Sequence, residues 1–189
     1  MAFSIETRPG ALQEIVRHVD ENLNELGREI ERTTDLDSHI KGGYAFSFEN
    51  EAALRRVLIH ANSFITESRS CFENLAAFYR EFLRHYFGQE ISKPDSYKKL
   101  TQLARDPKWA SDLRAFRHEV VHDRAPWLAF EVRPGMSPRC DPILVLNWRP
   151  GPLSPDDCVT FESLRRIRLG LSEAMVGLRA ELIRRVISA

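Results

Sequence analysis

The sequence predicts an all-α protein: an up-and-down helical bundle with one small proline-rich extended or β-hairpin insertion at about 126–153. Three observations carry this reading. Apolar residues recur at three- and four-residue spacing along most of the 189 residues, the period of helices that bury one face. Glycine and proline punctuate that pattern where helices must stop. Seven of the ten prolines fall between Pro126 and Pro155, which confines the irregular part to one place. A chain of this length fits one domain, 1–189, and buries about 70% of the surface its unfolded form exposes, so it needs no covalent staple.

The elements follow in order. After Pro9-Gly10, Leu12, Ile15, Val16, Val19, Leu23 and Ile30 mark a first amphipathic helix that should end before Gly42-Gly43. No strand is predicted ahead of those glycines and no Gly-rich phosphate loop is present, so no cofactor is implied. A longer stripe runs from Leu54 and Val57 through Phe72, Phe78 and Phe82 to Tyr86 and Phe87, and predicts one long helix stopped by Gly88. Pro94 and Asp106-Pro107 divide the next stretch into a short helix over Tyr97–Ala104 and another from Trp109 to about His122. Trp109, Leu113, Phe116 and Val120 should face inward on the second of these.

Pro126 then opposes continuation. The runs 128–132 and 143–148 read as the strands of the insertion. Ser154-Pro155-Asp156-Asp157 has a cap residue, a first-turn proline and first-turn acids, and should open the last helix. Leu164, Ile167, Leu171, Met175, Leu182 and Val186 carry its apolar face.

Composition narrows the function classes. Lys and Arg number 27 against 27 Asp and Glu, so the whole molecule does not steer toward polyanions and any such site is local. Arginine outnumbers lysine 22 to 5, a bias that suits planar recognition of carboxylate or phosphate. Arg165, Arg166, Arg168, Arg179, Arg184 and Arg185 make the last helix locally basic, and the ordinary reading of such a run is a solvated face. Cys71, Cys140 and Cys158 are odd in number and far apart, which suggests neither a disulfide framework nor a thiolate zinc site. The opening residues lack the charged and apolar regions of a signal peptide, and no apolar run approaches the roughly eighteen residues of a membrane span. A cytoplasmic protein without membrane contact is the expectation.

Chemistry concentrates in Arg117-His118-Glu119-Val120-Val121-His122-Asp123. His118-Glu119-Val120-Val121-His122 matches H-E-x-x-H, in which two histidines on one helical face bind zinc and the glutamate acts as general base. In that reading His118 and His122 are ligands and Glu119 is the base. No histidine follows His122 to complete the set, and Asp123, Arg124 and Pro126 end the helix where zinc-binding helices of this kind continue.

The same stretch places Arg117 five positions before His122, with polar His118 directly after the arginine. This resembles the R-x4-H form of the motif of the HEPN family, whose members are all-helical and whose catalytic members are metal-independent ribonucleases. Many of these are toxins of toxin–antitoxin pairs or parts of phage defence. Arg55–His60 and Arg80–His85 have the same spacing, but Arg55 is followed by arginine and Arg80 by glutamate, and both fall inside the predicted long helix.

The resemblance implies that Arg117, His118 and His122 are the catalytic residues, that no metal or cofactor takes part, and that two copies of the motif meet across a homodimer interface. RNA is then the substrate, and an antitoxin or other protein is a partner. Histidine suits the proton transfers of RNA cleavage because its pKa lies near neutrality, and a guanidinium suits the charge that builds on phosphorane oxygens. On a straight helix residues five apart stand about 140° around the axis, so Arg117 and His122 share a site only if the last turn loosens, the arginine wraps around or a second subunit contributes. Other relatives keep the fold in a scaffolding role, so a non-catalytic interaction module is the alternative.

Overall fold

The computed structural model describes residues 51–121, 127–133, 139–145 and 158–188. It also describes 40–41, 45–46 and, nearer the N-terminus, 14, 17–18, 20–22, 24–25 and 28. Backbone alone is described at 40–41, 45–46, 117–121, 127, 130–133, 139–142 and 159. The described residues form an all-α bundle with a small antiparallel hairpin, as the apolar periodicity predicts. The apolar positions of the first predicted helix, and Ser154–Asp157, lie outside the described residues. The chain divides into two compact units.

One unit contains 64–118 and 162–189. Its first helix, α1 (Glu51–Phe87), enters from the other unit and runs unbroken to Gly88. Gly88 adopts φ 61° and its N–H donates to the Arg84 carbonyl at 3.2 Å, which closes the helix with a left-handed residue that glycine accepts without strain. Phe64, Leu75, Tyr79 and Leu83 of α1 are buried. Phe78 and Tyr86, counted in the same stripe from the sequence, are instead exposed.

Helix α2 (Lys93–Leu103) opens at Lys93 rather than Tyr97. Ser92 is its cap, with Oγ accepting from Asp95 N–H at 3.2 Å. Pro94 sits in the first turn, where its missing N–H costs nothing, so it starts the helix instead of preceding it. Helix α3 (Lys108–Val121) follows the Asp106-Pro107 break.

The last helix, α4 (Phe161–Ile187), buries Leu164, Ile167, Leu171, Ala174, Leu178 and Leu182. Val186 is exposed, against the expectation that it continues this face. Trp109 of α3 lies against Gly170 of α4 and meets Phe72 of α1 edge-on, ring centroids 5.1 Å apart. Toward the other end of α4, Arg185 donates to Gln89 Oε1 just beyond α1, so α1 and α4 run parallel. Lys99 reaches Glu181, Leu103 meets Gly177, and the Arg105 N–H donates to Glu173 at 2.9 Å, an order that sets α2 antiparallel to α4. The alternation of directions is the up-and-down arrangement expected from short connections.

The other unit contains 14–63 and 119–161. Every described position from 14 to 28 is helical. Strands β1 (Ile40–Lys41) and β2 (Ala45–Phe46) pair antiparallel, so Gly42-Gly43 does follow a strand, although one of two residues only. Strand β3 (Trp127–Arg133) pairs with β4 (Arg139–Val145), Trp127 opposite Val145 and Arg133 opposite Arg139, as the proline-flanked runs predict. A third strand, β5 (Cys158–Thr160), adds to β4 at Ile143–Val145. The last helix consequently opens at Phe161 and not at Ser154: the β-branched Val159-Thr160 pair takes a place in the ladder first. Pro142 is opposite Phe130 on β3 and lies just beyond the reach of β5, so among the described residues β4 has a partner on one side only at the residue that lacks an N–H.

Candidate active site

Helix α3 carries the motif at its C-terminal end, and its sequence fixes how it is held. Asp106 Oδ1 accepts the Lys108 N–H at 2.9 Å, capping the first turn. Trp109, Leu113 and Phe116 are buried at the four- and three-residue spacing of one helical face. Arg166 of α4 donates to Asp112 Oδ2 at 2.6 Å and stands 3.4 Å from Asp106 Oδ2. One guanidinium therefore ties both the start and the middle of α3 to α4.

The backbone remains helical through Val121, so Arg117, His118 and Glu119 lie on the final stretch of one helix directly after buried Phe116. The side chains of 117–121 and the whole of His122 lie outside the described residues, as does Asp123. On a continuous helix Arg117 and His122 stand about 140° apart, whereas His118 and His122 share the face that zinc binding by H-E-x-x-H requires. Among the described residues, no group of three or more His, Cys, Asp or Glu could hold a metal ion.

The two other R-x4-H pairs are on α1. Arg55 is exposed and bonded to Glu51 at 3.2 Å, and His60 stacks on His18. Arg80 is half-buried, with its Nε withdrawn from water and no hydrogen-bond partner among the described residues. His85 is exposed beside Tyr86 and falls in the last turn of α1, not within its middle. In both pairs the helix is regular between the two residues, so the partners point apart.

The arginines of α4 are largely taken up in ion pairs. Arg165 pairs with Glu162, Arg166 with Asp112 and Asp106, and Arg184 and Arg185 with Glu181. The Glu181 carboxyl is held below its ordinary range chiefly by the hydrogen bond from Arg185, against its burial, with Lys99 and Arg184 adding to the effect. This is the solvated, self-paired face that such a run ordinarily forms, and not an open track of positive charge.

Periodicity read for a single buried face missed the opposite side of α4. Leu169, Val176 and Ile183 are 54%, 68% and 50% exposed, and Ile187 is 80% exposed. Their seven-residue spacing puts the first three on one stripe facing away from the core, a signal that is present in the sequence. No helix among the described residues is long and apolar enough to cross a membrane, so this stripe does not make α4 a span. Comparison with protein-family models, with curated proteins and with solved structures found no match.

Proposed function

We propose that the chain is a metal-independent endoribonuclease that works as a homodimer, with a HEPN-type site built from Arg117, His118 and His122. The observation that carries this reading is the placement of Arg117 and His118 on the helical backbone of α3 directly after buried Phe116, on a helix anchored by Trp109, Phe116 and Asp112. An arginine on an anchored helix with a histidine five positions on in the sequence suits a reaction that needs one fixed cation and one proton carrier. In that reaction the 2′-oxygen of RNA bonds to phosphorus as the bond from phosphorus to the 5′-oxygen breaks. His122 takes the proton of the 2′-hydroxyl or delivers one to the leaving oxygen, Arg117 holds the charged phosphorane oxygens, and His118 orients them. A second copy brings the matching motif. A toxin or defence role, with an antitoxin or another protein as partner, accords with the resemblance.

The second reading is a non-catalytic interaction module of the same fold. The exposed aliphatic residues Leu169, Val176 and Ile183 on one side of α4 favour it, because apolar side chains repeated at seven-residue spacing suit a helix that packs on a partner.

Incubation of the purified chain and its Arg117→Ala/His122→Ala variant with total RNA in EDTA decides between them. Cleavage by the wild type alone supports the ribonuclease and removes the zinc hydrolase; equal silence from both transfers the weight to the interaction module.

A further inference from the structure

A junction of polar groups joins the described helical residues between 14 and 28 to the start of α1 within one unit. The rings of His18 and His60 stack with centroids 5.2 Å apart and planes 17° from parallel. Beside them Arg56 Nε donates to Asn22 Oδ1 at 2.7 Å, and its guanidinium stands 3.6 Å from Glu25. Asn22 is buried and donates in turn to the His18 carbonyl at 2.6 Å.

His18 Nε2 stands 3.4 Å from the Arg17 guanidinium and its Nδ1 lies 3.5 Å from Glu21. His60 has the His18 ring over its face and the Arg56 cation one turn away on its own helix. Among the described residues, the charged or titratable groups around the pair are His18, Arg17, Glu21 and Glu25 on the segment and Arg56 on α1. Burial first, then His18 and Arg56, push the His60 pKa below its ordinary 6.5.

We infer that the His18–His60 stack is a proton-operated latch, which holds the described residues of 14–28 on α1 while His60 is neutral and loosens them when His60 takes a proton. The sign follows from the surroundings. A proton on His60 adds a cation beside Arg56 and against the ring that faces the Arg17 guanidinium, while the nearby carboxylates of Glu21 and Glu25 stand against His18 and Arg56. Released, His60 regains an ordinary pKa, so docking is strongest above about pH 6.5, weakens as pH falls through that value and levels off below the docked pKa.

The test is amide hydrogen exchange on the full chain at pH 8 and pH 5, read as protection factors for 14–28 with the core of α4 as internal reference. Protection of 14–28 should fall several-fold more than that of α4 on acidification. The His60→Phe variant keeps a ring for His18 to stack on but has no site for the proton, and should lose most of this difference. An equal fall in both proteins, or none in the wild type, overturns the latch. Should His60→Phe not fold, the His60 ring resonances of the wild type decide: a midpoint below 6.5 that tracks the loss of protection supports the latch, and one at or above 6.5 sinks it.

Discussion

Trp109 fills the space in which a side chain at position 170 would stand. A methyl group on Gly170 would lie 2.7 Å from Trp109 Cβ and closer still to its ring. The indole is fully buried and meets Phe72 on its other side, so it has nowhere to withdraw.

Gly170→Ala should therefore destabilise the protein by about 3 kcal/mol, the upper end of ordinary overpacking, despite the better helix propensity of alanine. Gly177→Ala should cost less than half as much. Its added methyl would meet Leu103 Cβ at 3.0 Å, where a shift of a few tenths of an ångström suffices. Urea denaturation of the two variants checks this, and equal midpoints would refute the close packing of Trp109 on α4.

Glu181 predicts a pH dependence. A carboxylate held below its ordinary 4.5 adds stability above that pH and loses it as pH falls through the folded-state pKa. Glu181→Gln should cost about 1 kcal/mol at pH 7, a modest figure because Arg184 is exposed and water screens the cluster. The gap between wild type and variant should close as pH drops below 4.5. Thermal melts of both proteins from pH 7 to pH 3 measure the gap directly.

In the proposed reaction the three motif residues should not fail alike. His122→Ala removes the proton carrier and should lower cleavage by about 10²–10⁴-fold. Arg117→Lys keeps the charge but not the planar fork, and should recover little of the activity that Arg117→Ala loses. Arg55→Ala and His85→Ala, from the other two copies of the spacing, should leave cleavage within about twofold. Single-turnover assays in EDTA give each rate. Loss of activity in the α1 variants would move the site away from α3.

Ser92→Ala should cost about 1 kcal/mol, since the Ser92 hydroxyl caps the N-terminus of α2. Ser92→Asn should restore most of it, because an amide can accept the Asp95 N–H and donate to the Asp95 carboxylate as the hydroxyl does. Guanidinium titration of the three proteins tests the cap.

The bundle was legible in the sequence because long amphipathic helices advertise themselves: the apolar stripe of α1, the stop at Gly88 and the inward Trp109, Leu113 and Phe116 all follow from period and punctuation. What was misread depended on choices between neighbours. Pro94 is equally at home before a helix and in its first turn, and only the Ser92 hydroxyl on the Asp95 N–H decides which. Ser154-Pro155 has the composition of a helix start, yet the ladder that Val159 and Thr160 join with β4 postpones the helix to Phe161. The candidate site is read from six residues of sequence, Arg117–His122, of which the structure describes the helical backbone of Arg117–Val121. The His18–His60 stack was invisible for a simpler reason: it joins two elements whose docking no local pattern encodes.

The route of the chain between α3 and α4 has a consequence for folding. The unit built from 64–118 and 162–189 receives its last helix only after the whole of 119–161 has been traversed. Were that stretch a flexible loop, closing it would oppose the docking of α4 by about 3 kcal/mol of chain entropy. The β3–β4 hairpin changes this balance, because it folds on local contacts and draws Trp127 opposite Val145, leaving far fewer residues to be closed as free chain. The proline-rich insertion therefore shortens the path by which α4 finds Trp109, and its early formation would set the rate at which the bundle is completed.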